Sequence, residues 1–379
     1  MQIESIDFAG SMLYGAVLGA TGIFFGSVTA VFAQLSESSR GTIGYSFSLL
    51  GISYLIRAVG DSGNETISWF SPLGWVLGAQ VYVNNYWWPI ALTLAIGLII
   101  ATLALYLNAI RDLGAGFIPT KAGRSEASRF LSSPIGLAFR LQRTALYSWT
   151  VGMFVLGLSY GSVMGDLESF FADNEVLAEV LQPVEGFTLI EQFIPMLMSV
   201  IAMLSTIPVL MVLLKVRGEE KKGRLDHLLS NAVSRNRIVG GYVVLAIITS
   251  VVMLFMGVAG LWIAASAVVD DNFGFAMLLK AAFVYLPAIG VMIGIGVFLI
   301  GYFPKWTNLV WYYLIYSFFI VYMGELLQFQ DWFGKLSPFG HIPSVPVEEI
   351  SVVTLSIVII VGIVLGVMGM KQFRHRDIQ

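Results

Sequence analysis

Nine apolar stretches, each about as long as a bilayer is thick, constrain this chain more than anything else in it. A helix crossing the hydrocarbon core needs roughly 20 mainly apolar residues. Such runs lie at about 11–33, 42–60, 88–109, 144–165, 188–214, 238–268, 276–302, 306–328 and 350–370. Only 12% of the 379 residues are charged, 57% are hydrophobic and the mean hydropathy is +0.81. Soluble domains carry about 25% charged residues, so a water-soluble core does not account for this composition. The expected fold is an all-α polytopic membrane protein with about nine transmembrane helices. A tenth apolar segment, 67–83, is broken by Ser71-Pro72 and by glycines, and reads as a re-entrant or interfacial segment.

Charge in the loops sets the orientation. The loop 111–143 holds Arg111, Lys121, Arg124, Arg129, Arg140 and Arg143. The stretch 215–237 holds seven bases against three acids, and the tail adds Lys371, Arg374 and Arg376. Nine spans thread all three onto one side, and basic loops stay in the cytosol. The opposite side receives 166–187, with six acids and no base. A multi-pass protein of a bacterial-type cell membrane is expected, with its C-terminus in the cytosol and Met1 outside.

An internal repeat accompanies this threading. Trp69-Phe70-Ser71-Pro72-Leu73-Gly74-Trp75 is echoed by Trp332-Phe333 and Ser337-Pro338-Phe339-Gly340-His341, with the two Ser-Pro pairs 266 residues apart. Spans one to three therefore match spans seven to nine, while spans four to six have no earlier counterpart. The plan is a direct, parallel repeat of six-span halves with the first half incomplete. Residues 1–110 would be the last three spans of the first half, 111–143 a basic cytosolic linker, and 144–379 a complete second half.

Small residues at helical spacing let membrane helices approach closely. Gly15, Gly19, Gly22 and Gly26 form such a face on the first span, and Gly290 with Gly294 form another on the seventh. Gly362, Gly366 and Gly369 do the same on the ninth. Charges near span ends are the other marked positions. Arg57, Asp61 and Glu325 are candidate pathway or gate residues, and the repeat places Glu325 near the counterpart of Arg57. An uncompensated charge within a bundle is costly, so either Arg57 and Glu325 pair across the repeat axis, or Arg57 pairs locally with Asp61 and Glu325 turns to water or headgroups.

The stretch Lys215–Arg237 joins spans five and six. Leu225, Leu228, Leu229 and Ala232 recur at helical spacing and form one apolar face. Glu219 and Glu220 would be unfavourable against anionic lipid, whereas a protein partner can accept both signs of charge. The wording of this stretch is specific. Arg217-Gly218-Glu219-Glu220, Gly223-Arg224-Leu225, Leu228-Leu229-Ser230 and Val233-Ser234-Arg235 resemble the coupling-helix signature of type-two ABC exporter permeases. Ala232 stands where that signature usually has proline. Ala33–Arg40, Leu55–Asp61, Ser71–Trp75 and Arg140–Leu146 are similar to the polyketide-antibiotic and multidrug exporter branch.

The resemblance implies a permease subunit that moves hydrophobic or amphipathic drug-like molecules out of the cell. Glu219, Glu220, Gly223, Arg224, Leu225, Leu228, Leu229, Ser234 and Arg235 would couple it to a separate ABC ATPase subunit, acting as a dimer. ATP and magnesium would sit on that partner. Branch members usually carry two six-span halves on one chain, so another chain supplying the missing half-bundle is a further expected partner, beside membrane lipids. In agreement, the sequence contains no G-x-x-x-x-G-K-[ST] phosphate loop, whose amides and lysine a nucleotide needs. This chain is expected to be no enzyme.

Other chemistries find little support. There is no cysteine, which excludes disulfides, zinc–thiolate sites and iron–sulfur clusters. Gly157-Leu158-Ser159-Tyr160-Gly161 fits a hydrolase nucleophile pattern but lies within a span rather than on a strand-to-helix turn. His227, His341 and His375 are too dispersed for a metal site. The basic loop lacks the aromatics expected of a nucleic-acid surface. Two alternatives stay open: an ion-coupled secondary transporter, which would want several mid-span acids, and a non-transporting scaffold derived from a permease.

Overall fold

The computed structural model describes residues 8–63, 65–112, 115–118, 126, 128, 130–131, 133–166, 187–225, 234–269, 274–324, 327 and 329–376. Among the described residues the fold is helical, with one isolated bridge between Ser36 and Ile118 and no strand. In chain order the helices are α1 (Phe8–Leu35), α2 (Ser39–Gly63), α3 (Glu65–Ser68), α4 (Pro72–Leu77), α5 (Trp88–Ile110) and α6 (Pro134–Val163). There follow α7 (Leu189–Lys221), α8 (Arg235–Val268), α9 (Phe275–Phe283), α10 (Leu286–Tyr302), α11 (Leu309–Met323), α12 (Asp331–Lys335) and α13 (Val352–His375).

Among the described residues six segments are long and apolar enough to cross a membrane: α1, α5, α7, α8, the α9–α10 pair and α13. The expected span at 42–60 falls inside α2, and that at 144–165 lies on α6 and runs two residues past its end. Both helices are long enough, but α2 carries Arg57 and several serines, and α6 opens with Arg140 and Arg143. The expected span at 306–328 falls on α11, which has 15 residues. At 1.5 Å per residue that is about 22 Å, short of a 30 Å core. The seventh span breaks between Phe283 and Leu286 because Pro287 lacks an N–H and crowds the preceding turn.

Two compact units result, Met1–Ser125 and Glu126–Gln379. The division lies inside the expected linker 111–143, but the second part of that linker is not a loop. Ser133 caps α6 by accepting from the amide of Gly136, so Arg140 and Arg143 ride on a helix.

In the first unit α1 lies along α5, with Gly97 against the backbone of Phe24. Phe24 also meets Trp75 edge-on, with ring centroids 5.9 Å apart. Segment 67–83 forms the last turn of α3, a tight turn and α4, and does not make a span. Ser71 caps α4, and its hydroxyl donates to Ser53 O at 2.6 Å, tying the segment to α2. The second Ser-Pro segment follows the same path. Amides of Phe70, Ser71 and Gly74 donate to Ile67, Ser68 and Ser71, and those of Leu336, Ser337 and Gly340 donate to Phe333, Gly334 and Ser337. Every bond recurs at the 266-residue offset.

In the second unit α6 packs along α8, and α10 along α13, through glycines. A β-carbon on Gly157 would come within 2.0 Å of Gly257 O, and one on Gly294 within 2.4 Å of Gly362 O. α7 runs through the middle of this unit with most of its length buried. The close approach expected at Gly294 is therefore present, while Gly290 offers its backbone to Gly362 and a β-carbon on Gly290 itself meets no atom within 4 Å. That expected of Gly15, Gly19, Gly22 and Gly26 is not: all four are exposed, and a methyl group on any of them meets no atom within 4 Å. α1 turns its opposite face, with Leu13, Ala20 and Phe24, toward its neighbours because those larger side chains bury more surface.

Candidate functional site: a buried charge cluster beneath the 222–234 connection

Of the stretch 215–237, residues 215–225 and 234–237 are described. Its first third continues α7 to Lys221. The helix stops because Gly223 takes φ +67°, with its amide on Glu220 O at 2.9 Å. That left-handed conformation strains any residue with a β-carbon. At the far side Ser234 caps α8 by accepting from the amide of Arg237. A glycine stop and a serine start thus bracket the connection. Arg224 and Leu225 begin a new helical turn. Leu228 and Leu229 lie outside the described residues, as do the rest of 226–233.

The structure corrects the reading that the acids face a partner. Glu219 keeps 6% of its side chain exposed and Glu220 none. Glu219 is held by Lys215 at 3.3 Å, one turn back, and by Arg224 at 3.2 Å. Glu220 is held by Arg217 at 3.0 Å and by Arg376, whose Nη2 lies 2.6 Å from both carboxylate oxygens. Leu225, expected on an outward apolar face, is 1% exposed and belongs to the core of the second unit. The reason is electrostatic: a carboxylate leaves water only where cations and hydrogen bonds replace its hydration, and four are close at hand. Arg224, with 56% of its side chain exposed, is the outermost member.

The cluster reaches beyond the stretch. Arg217 Nε donates to Pro304 O at 3.1 Å, just past the end of α10. Arg235, the first residue of α8, donates through Nη1 to Arg374 O at 3.3 Å and to Arg376 O. Arg376 itself lies over the ring of Phe373, 5.0 Å from its centroid. The ends of α7, α10 and α13 and the start of α8 are thus joined at one end of the unit. Arg217 and Arg376 were visible in the sequence only as a motif letter and a tail charge. The one signal available beforehand was that a Glu-Glu pair on a long apolar helix needs cations nearby.

The other candidate residues stand apart. Arg57 is half-buried on α2, and its carbonyl accepts from the Ser68 hydroxyl at 3.4 Å. Asp61 lies in α2, with its side chain outside the described residues, and Glu325 falls outside them too, so their pairing receives no geometry. Among the described residues no group of acids and histidines is placed to hold a metal.

The family model "Multidrug efflux system permease Rv1217c, C-terminal domain" matches residues 131–374, the span from the start of α6 nearly to the end of α13. The multidrug efflux system permease protein Rv1217c of Mycobacterium tuberculosis is 34% identical over 373 residues, covering 98% of this chain and 68% of the relative. The chain belongs to the multidrug efflux system permease family. The region matched to this permease domain coincides with the second compact unit and contains the charge cluster, Arg376 lying two residues past its end.

Proposed function

We propose that the chain is the membrane-path subunit of an ATP-driven exporter of hydrophobic or amphipathic molecules, antibiotics of polyketide type among them. A separate ABC ATPase subunit, as a dimer, would dock on the connection 222–234 from the cytosolic side. The observation that carries this reading is the mounting of that connection. It leaves α7 at a fixed glycine break just after two buried carboxylates and enters α8 at a serine cap.

Such a mounting suits a lever. The buried pairs make the α7 root stiff, because parting them would strand a charge away from water at several kcal/mol, and Arg235 ties the α8 root to the carbonyls at the end of α13. A push on the connection then tilts α7 and α8 instead of deforming the loop. Glu219 and Glu220 serve as internal supports in this scheme, and contact with the ATPase falls to Arg224 and to Leu228 and Leu229. The tail lies against 217–235 at one end of the unit, which agrees with placing both in the cytosol. The unmatched third of the Mycobacterium tuberculosis relative supports a larger assembly in which a further half-bundle completes the path.

The direct test is co-purification with the cognate ATPase subunit. Wild type is expected to retain it, and Leu228→Asp/Leu229→Asp to lose it while still eluting as a folded particle. Retention by the double variant would remove the docking role.

A further inference from the structure

We infer that Arg376 is a positioning residue for coupling: it clasps the C-terminal end of α13 to the root of the 222–234 connection, so that motion there is passed to the α10–α13 pair. This rests on the coupling role proposed above and extends it to a part of the chain that no sequence motif marks.

Three observations converge on it. First, each root of the connection carries one gripping residue. Glu220 stands three residues before the glycine break and Arg235 directly after the serine cap. Glu220 takes the Arg376 guanidinium, and Arg235 takes the carbonyls at the end of α13. The negative end of a helix dipole favours a cation there, so the second grip is of the right sign as well as within reach.

Second, the grip is dry. Glu220 has no exposed side-chain surface, and Arg376 retains 12%. In that setting the pair acts as a short rod. Separating its members exposes a buried charge without hydration, and a surface pair would simply yield to water.

Third, what lies beyond the grip is stiff. α13 is locked to α10 where backbones touch: Gly362 faces Gly290 and Gly294, and Gly369 faces Val297 and Gly301. Arg217 adds a separate hold on the exit of α10 through Pro304 O. A displacement of the connection therefore reaches α10 by two routes, one through α13 and one direct. α10 packs in turn on α7, which closes a mechanical loop around the buried centre of the unit.

A merely structural staple would look similar in a stability measurement, so the test separates the two. Arg376→Gln leaves the buried Glu220 with Arg217 as its remaining cation and is expected to lower both the melting temperature and transport. Glu220→Gln/Arg376→Gln removes both members of the clasp, a change that restores stability in many buried pairs, and Arg217 keeps its bond to Pro304 O. The expected result is a melting temperature near wild type, with transport per ATP hydrolysed still down about ten-fold, within the usual range of coupling between sites. Arg376→Lys, keeping the charge and losing the planar guanidinium over Phe373, is expected to fall between. Recovery of transport together with stability in the double variant would reduce Arg376 to a staple and overturn the inference, while leaving the exporter reading intact. A wild-type complex with no cargo-dependent ATP hydrolysis would instead bring down the coupling role, and this inference with it.

Discussion

The α1–α5 pair of the first unit and the α10–α13 pair of the second occupy the same place in the sequence repeat, yet they use glycine in opposite ways. Shifted by 266 residues, α1 spans the same positions as α9–α10, and α5 matches α13 to within two residues at either end. In the second unit Gly290 and Gly294 meet Gly362, backbone on backbone. In the first, the corresponding positions are Phe24, Val28 and Ile96, and the pair is held by side chains, with Gly97 alone letting the helices draw near. Gly15, Gly19, Gly22 and Gly26 of α1 lie on its other face. The difference extends to what covers that face. Met12, Leu18 and Ile23 on α1 are 57–59% exposed, whereas their counterparts Leu278, Val284 and Ile289 are at most 6% exposed beneath α7 and α8. Spacing thus marks where a close approach is permitted, and the neighbours present decide whether it happens.

The largest effect is expected at the glycine-locked pair. Gly294→Leu drives a side chain into the Gly362 carbonyl, where only backbone could yield. A loss of about 3 kcal/mol or failure to fold is expected, read as thermal unfolding in detergent. A folded variant of near wild-type stability would mean that the α10–α13 contact is looser than drawn. A smaller, graded effect is expected at the two equivalent turns. Both Ser71→Ala and Ser337→Ala remove a cap worth about 1 kcal/mol. Ser71→Ala also strips a bond from the Ser53 carbonyl and is expected to cost about 1 kcal/mol more. Equal losses would erase that asymmetry. The smallest effect belongs to the exposed stripe. Gly19→Leu has open space around it and is expected to change stability by less than about 0.5 kcal/mol. Lost transport at unchanged stability would show that this face meets another helix in the working assembly, as its counterpart does within this chain.

Much of the fold was legible beforehand, and for local reasons. Apolar runs of bilayer length announce themselves without regard to neighbours, and each expected span falls on a helix. The Ser-Pro echo was equally readable, since a buried serine cap before proline is a short-range arrangement. Legibility failed where an outcome depended on distant partners. Glu219 and Glu220 read as surface charges although Lys215, Arg217 and Arg224 stand nearby in the sequence, because the cover over Glu220 includes Arg376, 156 residues away, and the faces of α1 could not be ranked without α5.

The sequence by itself determined that this is a helical membrane protein and which stretches are apolar over the length of a bilayer. Both follow from hydropathy, a property a residue carries with it. Only the tertiary structure decided that Glu220 is buried and answered by Arg376, 156 residues away, and that the glycines of α10 rather than those of α1 are closed by a neighbouring helix. Whether a charge or a glycine face is buried depends on what is brought against it, and that is a property of the assembled helices.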